Sequence, residues 1–595
     1  MAKTVLASPR VCLSQVRGCG KQTTVFRSLA LLPNVAHVWF RDACRGGRLG
    51  NSTGRRFREP AQQPWSGRAS LRWWPVRLNA RSAVLAAIVI AGAVLRFDGL
   101  LFGFPARYHP DEAVANVAVS TCVAGETYES RYRHPPFLAN IACGVDRVVK
   151  PFMPRYPGTQ IHTLGSIRVV SAVAGTVTIA FVYLLALHFV SPAAALGAAF
   201  LFAGFPAAAA TSKYGTPDSL LTMLVVAALW LQVRLADRGD RRAYFHAALA
   251  TTLAVSAKYN GAVLALSFAV AHVFAARRNS RPLFGREALL TSVAAIALGL
   301  AIGFPGVLFH GDGSRLVHGM LDERKHLAEA GHFGFEVGWR EEHFLFHFRH
   351  SILPATGQLL LAAIVAGLGV LAATRSRAAA VVIAFAVPYY LTVELVYKVP
   401  PSYERYALPL AGLYMIAAAM LVERLVTLLT SAWVSGRPGL RRPPDAVRTV
   451  ALTAAFLVLA WAPLSRTGAL LAAIHDDTRT RMGAWVEDQR EEPGLRGRVS
   501  AQWPMIHAYY PQPPIPGWLQ SVESGSDGLP KSRYFLASSL VYERYLQFPE
   551  QRPRWTRFYE KLFAEGTLVH EEDAGRGRYM FHNPTLRLYR IGGAR

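Results

Sequence analysis

Long apolar stretches separated by short polar links dominate this chain. Eleven of them run at roughly 83–103, 168–189, 193–211, 218–235, 243–256, 260–276, 288–309, 355–373, 378–397, 406–424 and 449–472. Crossing a bilayer as a helix takes about 20 apolar residues, so the pattern predicts a polytopic helical membrane protein. The fifth and sixth stretches are short and are joined by Ala257-Lys258-Tyr259, so a single broken helix is the other reading of that region. The arginines separate the two readings. Arg234, Arg238, Arg241 and Arg242 follow the fourth stretch, and Arg277, Arg278, Arg281 and Arg286 follow the sixth. Arg375 and Arg377 follow the eighth, while Arg437, Arg441, Arg442 and Arg448 precede the eleventh. Only an eleven-span count puts all four clusters on one side, and cationic loops mark the cytoplasm.

That count places the N-terminus in the cytoplasm of a multi-pass cell-membrane protein and leaves two long loops outside, 104–165 and 310–353. A polar region at 473–595 also falls outside. Within it, "RVSAQWPMIHAYY", "RYFLASSLVYERYL" and "GRYMFHNPTLRLYRI" mix β-rich runs with turn signals, and Asp476–Gln489 has helical spacing, so a small exterior α/β domain is expected. The membrane domain is 82–472. No internal repeat is visible in the sequence, which weighs against a transporter made of repeated halves.

Composition sharpens this picture. The chain is 595 residues long and 52% hydrophobic, with 17% charged residues against the roughly 25% usual in soluble domains. The net charge of +27 does not indicate nucleic acid. Residues 1–81 alone hold fifteen Lys/Arg against Asp42 and Glu59, and most of the rest lies in the links between apolar stretches. That first segment is rich in Arg, Gly, Ser and Pro and lacks the features of a signal peptide. Two readings stand for it, a disordered cytoplasmic tail and a start codon placed too far upstream. Cys12, Cys19 and Cys44 lie there in no metal-ligand spacing. Cys122 and Cys143 share the first exterior loop, where a disulfide survives; two ordinary buried thiols are the alternative.

Candidate chemistry collects at the exterior ends of the spans. "RYHPDEA" (107–113) presents Asp111 and Glu112 directly after Pro110. A helix start accounts for one acid, and a general base at the membrane surface accounts for the other. "YRHPPFLANI" (132–141) sets Arg133 and His134 before a proline pair and an amphipathic segment, where a cation can hold a phosphate at headgroup depth. "KYGTPDSLL" (213–221) offers Thr216 as a cap, Pro217 as the first helical residue and Asp218 in the first turn. "SAKYNGA" (256–262) puts Lys258 between two short apolar helices, where an ionisable residue invites a functional hypothesis. "KVPPSYERYALP" (398–409) brings Lys398, Tyr403, Glu404, Arg405 and Tyr406 to the start of the tenth stretch, with Arg405 either snorkelling or binding an anionic headgroup. The 310–353 loop holds seven histidines, His310, His318, His326, His332, His343, His347 and His350. His343 and His347 have zinc-compatible spacing, but the surrounding phenylalanines favour an interfacial helix. A lipid flippase or transporter and a non-enzymatic membrane scaffold remain as rivals to an enzyme.

In order along the chain, "RFDGLLFGFPARYHPDEA", "HPPFLANI", "SKYGTPDSLL", "SAKYNG" and "ERYALPL" resemble the landmarks of GT-C membrane glycosyltransferases. The nearest group is glycosyltransferase family 39, with the protein mannosyltransferases and aminoarabinose transferases. The likeness spans about 82–425 and continues into "GAWVEDQ" and "RYFLASSLVYERYL". It implies a GT-C fold and transfer of a sugar from a polyprenyl-phosphate donor to an acceptor hydroxyl of a glycan, lipid or protein on the exterior face. It assigns Asp111, in an Asp-Glu motif with Glu112, as base. Asp218 orients a substrate or shares a divalent metal, the basic-Pro-Pro motif falls on His134 with Arg133 beside it, and the Lys-containing break falls on Lys258. Direct displacement of this kind inverts the sugar C1. No nucleic acid partner and no firm cofactor are expected.

Overall fold

The computed structural model describes residues 80–591 apart from 126–131, 157–160, 281, 284, 330–341, 343, 397–402, 436–443, 490–494, 496–498, 503–508, 512–517 and 523–532. The expected N-terminal tail, Lys398, His332 and His343 lie outside the described residues.

The apolar stretches become helices α1 (Ala80–Phe97), α4 (Ile161–Ala186), α5 (Pro192–Ala203), α6 (Pro206–Thr211), α7 (Asp218–Arg238), α8 (Arg241–Ala257), α9 (Leu264–Arg278), α10 (Arg286–Gly303), α13 (Leu353–Ala373), α14 (Arg377–Val396), α16 (Ala411–Ser435) and α17 (Asp445–Ile474). Between them lie α2 (Glu112–Val123), α3 (Phe137–Val149), α11 (Pro305–Phe309), α12 (Gly313–Glu329) and α15 (Glu404–Ala407). Nine helices among the described residues are long and apolar enough to cross a membrane. The third and fifth expected spans fall short of that length. The third is broken where Phe205 adopts an extended conformation before Pro206, as a residue preceding proline tends to do. The fifth is α8, at 17 residues.

Both shorter segments still run from one end of the bundle to the other. Lys258, just past α8, bonds to Asp218 at the start of α7, whereas Asn279, just past α9, donates to the Arg238 carbonyl at the end of α7 (3.3 Å). The chain therefore reverses at Lys258, and α8 and α9 are two oppositely directed helices rather than one broken helix. The α7–α8 turn is specified locally. Gly239 adopts φ 63°, where a Cβ would meet Asn279 Nδ2 at 2.1 Å, and Asp240 caps α8 by accepting from Ala243 N–H (2.7 Å). Following the helix directions, Arg234, Arg238, Arg241, Arg242, Arg277, Arg278, Arg286, Arg375, Arg377 and Arg448 come to one end, opposite Asp218 and Lys258, while Arg281, Arg437, Arg441 and Arg442 lie outside the described residues. At that far end Glu423 accepts from Ser191 N–H (2.9 Å) and from Arg448 (2.6 Å). Helix α7 is the centre of the bundle, 78% of its apolar window being buried, while α1 is only 11% buried and turns its apolar side chains outward.

The C-terminal region is a five-stranded mixed sheet with strand order β2-β1-β3-β5-β4. Its strands are β1 (Val499–Gln502), β2 (Leu519–Val522), β3 (Tyr534–Ser538), β4 (Thr567–Glu572) and β5 (Leu586–Arg590), with helices α18 (Thr478–Asp488), α19 (Ser539–Gln547) and α20 (Pro553–Glu565). β1 runs parallel to β2 and β3, and β5 pairs antiparallel with β3 and β4. The α/β expectation holds in class, with two local corrections. "RYFLASSLVYERYL" is half strand and half helix, because Leu540, Val541, Arg544 and Tyr545 recur at helical spacing and are buried. "GRYMFHNPT" is a loop, strand beginning only at Leu586. That loop enters the bundle: the Phe581 N–H donates to Tyr214 (3.2 Å), and the His582 ring stacks on Tyr214 with centroids 4.6 Å apart.

Candidate functional site

The first loop is held from within by a residue outside the sequence-derived set. Arg168, fully buried in α4, donates to the carbonyls of Leu100 (3.0 Å) and Phe102 (2.9 Å) and lies 4.4 Å over the Phe102 ring. Its remaining donors make a bidentate pair with Glu112 (2.8 and 2.9 Å). Glu112 also accepts from the Gly215 N–H (2.8 Å), which ties the first loop to the link before α7. Burial alone would raise the Glu112 carboxyl; Arg168 and these hydrogen bonds hold it below its ordinary range. With no exposed surface, Glu112 offers nothing to a substrate. The two acids of the Asp-Glu pair thus differ in kind.

Asp111 faces the other way, with its side chain 36% exposed. It forms an ion pair with Arg405, which also donates to the Tyr406 hydroxyl (3.1 Å). The Asp111 N–H donates to His109 Nδ1 (3.2 Å). Burial pushes the Asp111 carboxyl up, but Arg405 and His109 overcome this and hold it well below the usual carboxylate range. Burial lowers His109 itself to about 4, so it is neutral at pH 7.

A second ion pair lies alongside. Pro217 precedes α7 and leaves Asp218 in the first turn, as expected, where it accepts from Lys258 Nζ (2.7 Å). Thr216 does not cap the helix: its hydroxyl is buried without a hydrogen-bond partner, as is the second Asp218 oxygen. Tyr406 sits between the two pairs, with Lys258 Nζ 4.8 Å and the Arg405 guanidinium 5.0 Å from its ring centroid. The structure therefore brings Asp111, Asp218, Lys258 and Arg405 together. Exposed His134 belongs to the same electrostatic neighbourhood, within reach of the charges of Asp111 and Lys258.

Arg133 is engaged elsewhere, pairing with Glu323 of α12 at 3.4 Å while Tyr132 donates to Asp312 (2.9 Å). His347 is buried, with Nδ1 2.9 Å from the Ser351 hydroxyl and Nε2 3.2 Å from the Val393 carbonyl. Both ring nitrogens are thus engaged within the protein. Among the described residues no group of three or more His, Cys, Asp or Glu is placed to hold a metal ion, and each acid of the site already faces a cation. A Cys122–Cys143 disulfide joins α2 to α3. From the C-terminal region, Arg479 covers the Tyr108 ring at 3.7 Å and Phe581 meets His109 at 4.4 Å.

Arg168 stands outside every motif quoted above; a lone arginine in an otherwise apolar stretch is the signal the sequence offers for it. Tyr406 is marked in the sequence only as a neighbour of Arg405, with nothing to place it between two ion pairs.

A family model described as dolichyl-phosphate-mannose-protein mannosyltransferase matches residues 158–304. That stretch contains Arg168, Asp218 and Lys258. No protein of curated function matches the chain. Among solved structures, ArnT from Cupriavidus metallidurans in the apo state is 14% identical, covering 86% of this chain and 98% of that one, with a TM-score of 0.46. The archaeal oligosaccharyltransferase AglB from Archaeoglobus fulgidus is 14% identical over 71% of this chain and 62% of its own length, with a TM-score of 0.45. The S. cerevisiae protein O-mannosyltransferase Pmt1-Pmt2 complex is 20% identical over 40% and 34%, with a TM-score of 0.32. The resemblance to GT-C membrane glycosyltransferases is borne out by the family match over 158–304.

Proposed function

We propose that this chain transfers a sugar from a polyprenyl-phosphate donor to an acceptor hydroxyl at the exterior face of the membrane, in the manner of glycosyltransferase family 39. The observation that carries this reading is the pair of ion pairs, Asp111–Arg405 and Asp218–Lys258, flanking Tyr406 at one end of the bundle. An acid open to substrate beside several cations suits a reaction in which a hydroxyl loses a proton and a phosphate accumulates charge.

In the proposed reaction Asp111 accepts the acceptor proton as its oxygen bonds to the sugar C1. The C1–O bond to phosphate breaks, and polyprenyl phosphate departs with the electron pair. Asp111 is a weak base by virtue of Arg405. Its proton transfer therefore comes late, when bond formation to C1 has made the attacking oxygen acidic. Arg405, Lys258 and Arg133 are the cations proposed for the donor phosphate, with His134 as a hydrogen-bond donor beside them, and Asp218 holds Lys258 in place. Glu112 serves as the anchor of the loop rather than as a catalytic group. A transporter reading fits less well, because α7 carries no ionisable side chain between Asp218 and Arg234.

The test is release of lipid phosphate from a polyprenyl-phosphate sugar by the purified protein with a mixed pool of glycan, lipid and peptide acceptors. Acceptor-dependent release supports the reading, and its absence across donors and acceptors removes it.

A further inference from the structure

The far end of the bundle has a polar feature that sugar transfer does not use. A cavity of about 320 Å³ opens there at the last turns of α4 and α7. Its lining combines apolar Leu184, Leu187 and Trp230 with Arg234 and Arg238. The Arg234 guanidinium is held 4.7 Å from the Trp230 ring centroid, so it is fixed over an apolar wall rather than free in solvent. The lining contains one acid, Asp237, and it lies 4.0 Å from His188 Nδ1. Among the described residues neither arginine has a carboxylate partner. Two cations against a single carboxylate thus face a cavity of ligand size, leaving a net positive charge there.

The location narrows the ligand. Helices α4 and α7 are both candidate spans, and their N-terminal parts carry Arg168 and Asp218 at the site end. The cavity therefore lies where two spans leave the apolar layer, the depth at which Trp and Arg meet lipid headgroups. A free anion would use the arginines and leave the apolar wall wet; a lipid satisfies both. We propose that this groove binds an anionic phospholipid, its headgroup phosphate on Arg234 and Arg238 and an acyl chain along Leu184 and Leu187.

Native mass spectrometry of the full chain with phosphatidylglycerol or phosphatidylcholine tests this. The wild type should retain one phosphatidylglycerol in clear preference to phosphatidylcholine. A juxtamembrane arginine is worth roughly fivefold in affinity for an anionic surface, so R234Q/R238Q together should weaken retention by about twenty-fivefold. Leu187→Trp, which fills the acyl side and leaves both charges, should also lower retention, and covers the case in which the double variant fails to fold. Equal retention of the two lipids, or unchanged retention in both variants, overturns the proposal. Displacement of the lipid by millimolar inorganic phosphate would make this a small-anion site and overturns it too.

Discussion

Asp111 and Arg405, 294 residues apart in sequence, form an ion pair at the end of the bundle where Lys258 meets Asp218. This contact joins the first loop to the start of the tenth apolar stretch and fixes the ionisation of the proposed base. Its neighbour Glu112 makes the opposite kind of contact, sealed against Arg168. Of the adjacent carboxylates, one is thus the proposed base and the other a buried anchor.

The division predicts different failures. Glu112→Gln leaves the Arg168 charge buried without its partner, and breaking a buried pair in this way costs about 3–5 kcal/mol. Thermal unfolding should show a larger drop for Glu112→Gln than for Asp111→Asn, whose side chain is 36% exposed. Equal stability of the two variants would show that Glu112 does not anchor the loop.

The Asp111–Arg405 pair predicts a pH signature. The Asp111 pKa is depressed in the folded chain, so its contribution to stability is present above the unfolded value near 3.9 and is lost as pH falls through the depressed folded value. Arg405→Gln removes the partner and returns Asp111 towards an ordinary carboxyl or above it. The stability gap between wild type and Arg405→Gln should therefore be widest near neutrality and narrow below about pH 4. Denaturant midpoints measured from pH 7 down to pH 3 would check this; a gap that widens in acid contradicts it.

Glu323 occupies Arg133 across 3.4 Å, in the position a donor phosphate would compete for. Both side chains are partly exposed, so the pair itself is weak. Glu323→Gln should lower the donor KM with little effect on kcat, whereas Arg133→Gln should raise it. If Glu323→Gln leaves KM unchanged, Arg133 is not a donor contact.

Because the acids of the site are already matched by cations, dialysis against EDTA should leave turnover unaltered. Loss of activity restored by a divalent ion would show a metal held in a way this arrangement does not provide for.

The sequence was most informative where local rules act. Apolar runs marked the helices, Pro217-Asp218 marked the start of α7, and the Lys258 break was a reversal that the arginine clusters demanded. Less of the site could be read, because its pairs are non-local. Nothing in "RYHPDEA" says that Glu112 turns inward to an arginine 56 residues away while Asp111 turns out to Arg405. The same holds for Phe581 and His582, whose sequence fits a strand and whose rings instead fill the space beside His109 and Tyr214. The Phe205–Pro206 break in the third stretch was legible in principle from the proline, but the apolar run masked it.

The most direct measurement is single-turnover release of lipid phosphate from a polyprenyl-phosphate sugar by Asp111→Asn. General-base assistance contributes about 10²–10⁴-fold, and asparagine keeps the size of the side chain while removing the proton acceptor. The rate should fall by at least about a hundredfold, with the protein still folded at the assay temperature and donor binding close to wild type. A correctly folded Asp111→Asn protein that releases lipid phosphate at the wild-type rate would contradict the assignment of Asp111 as the base.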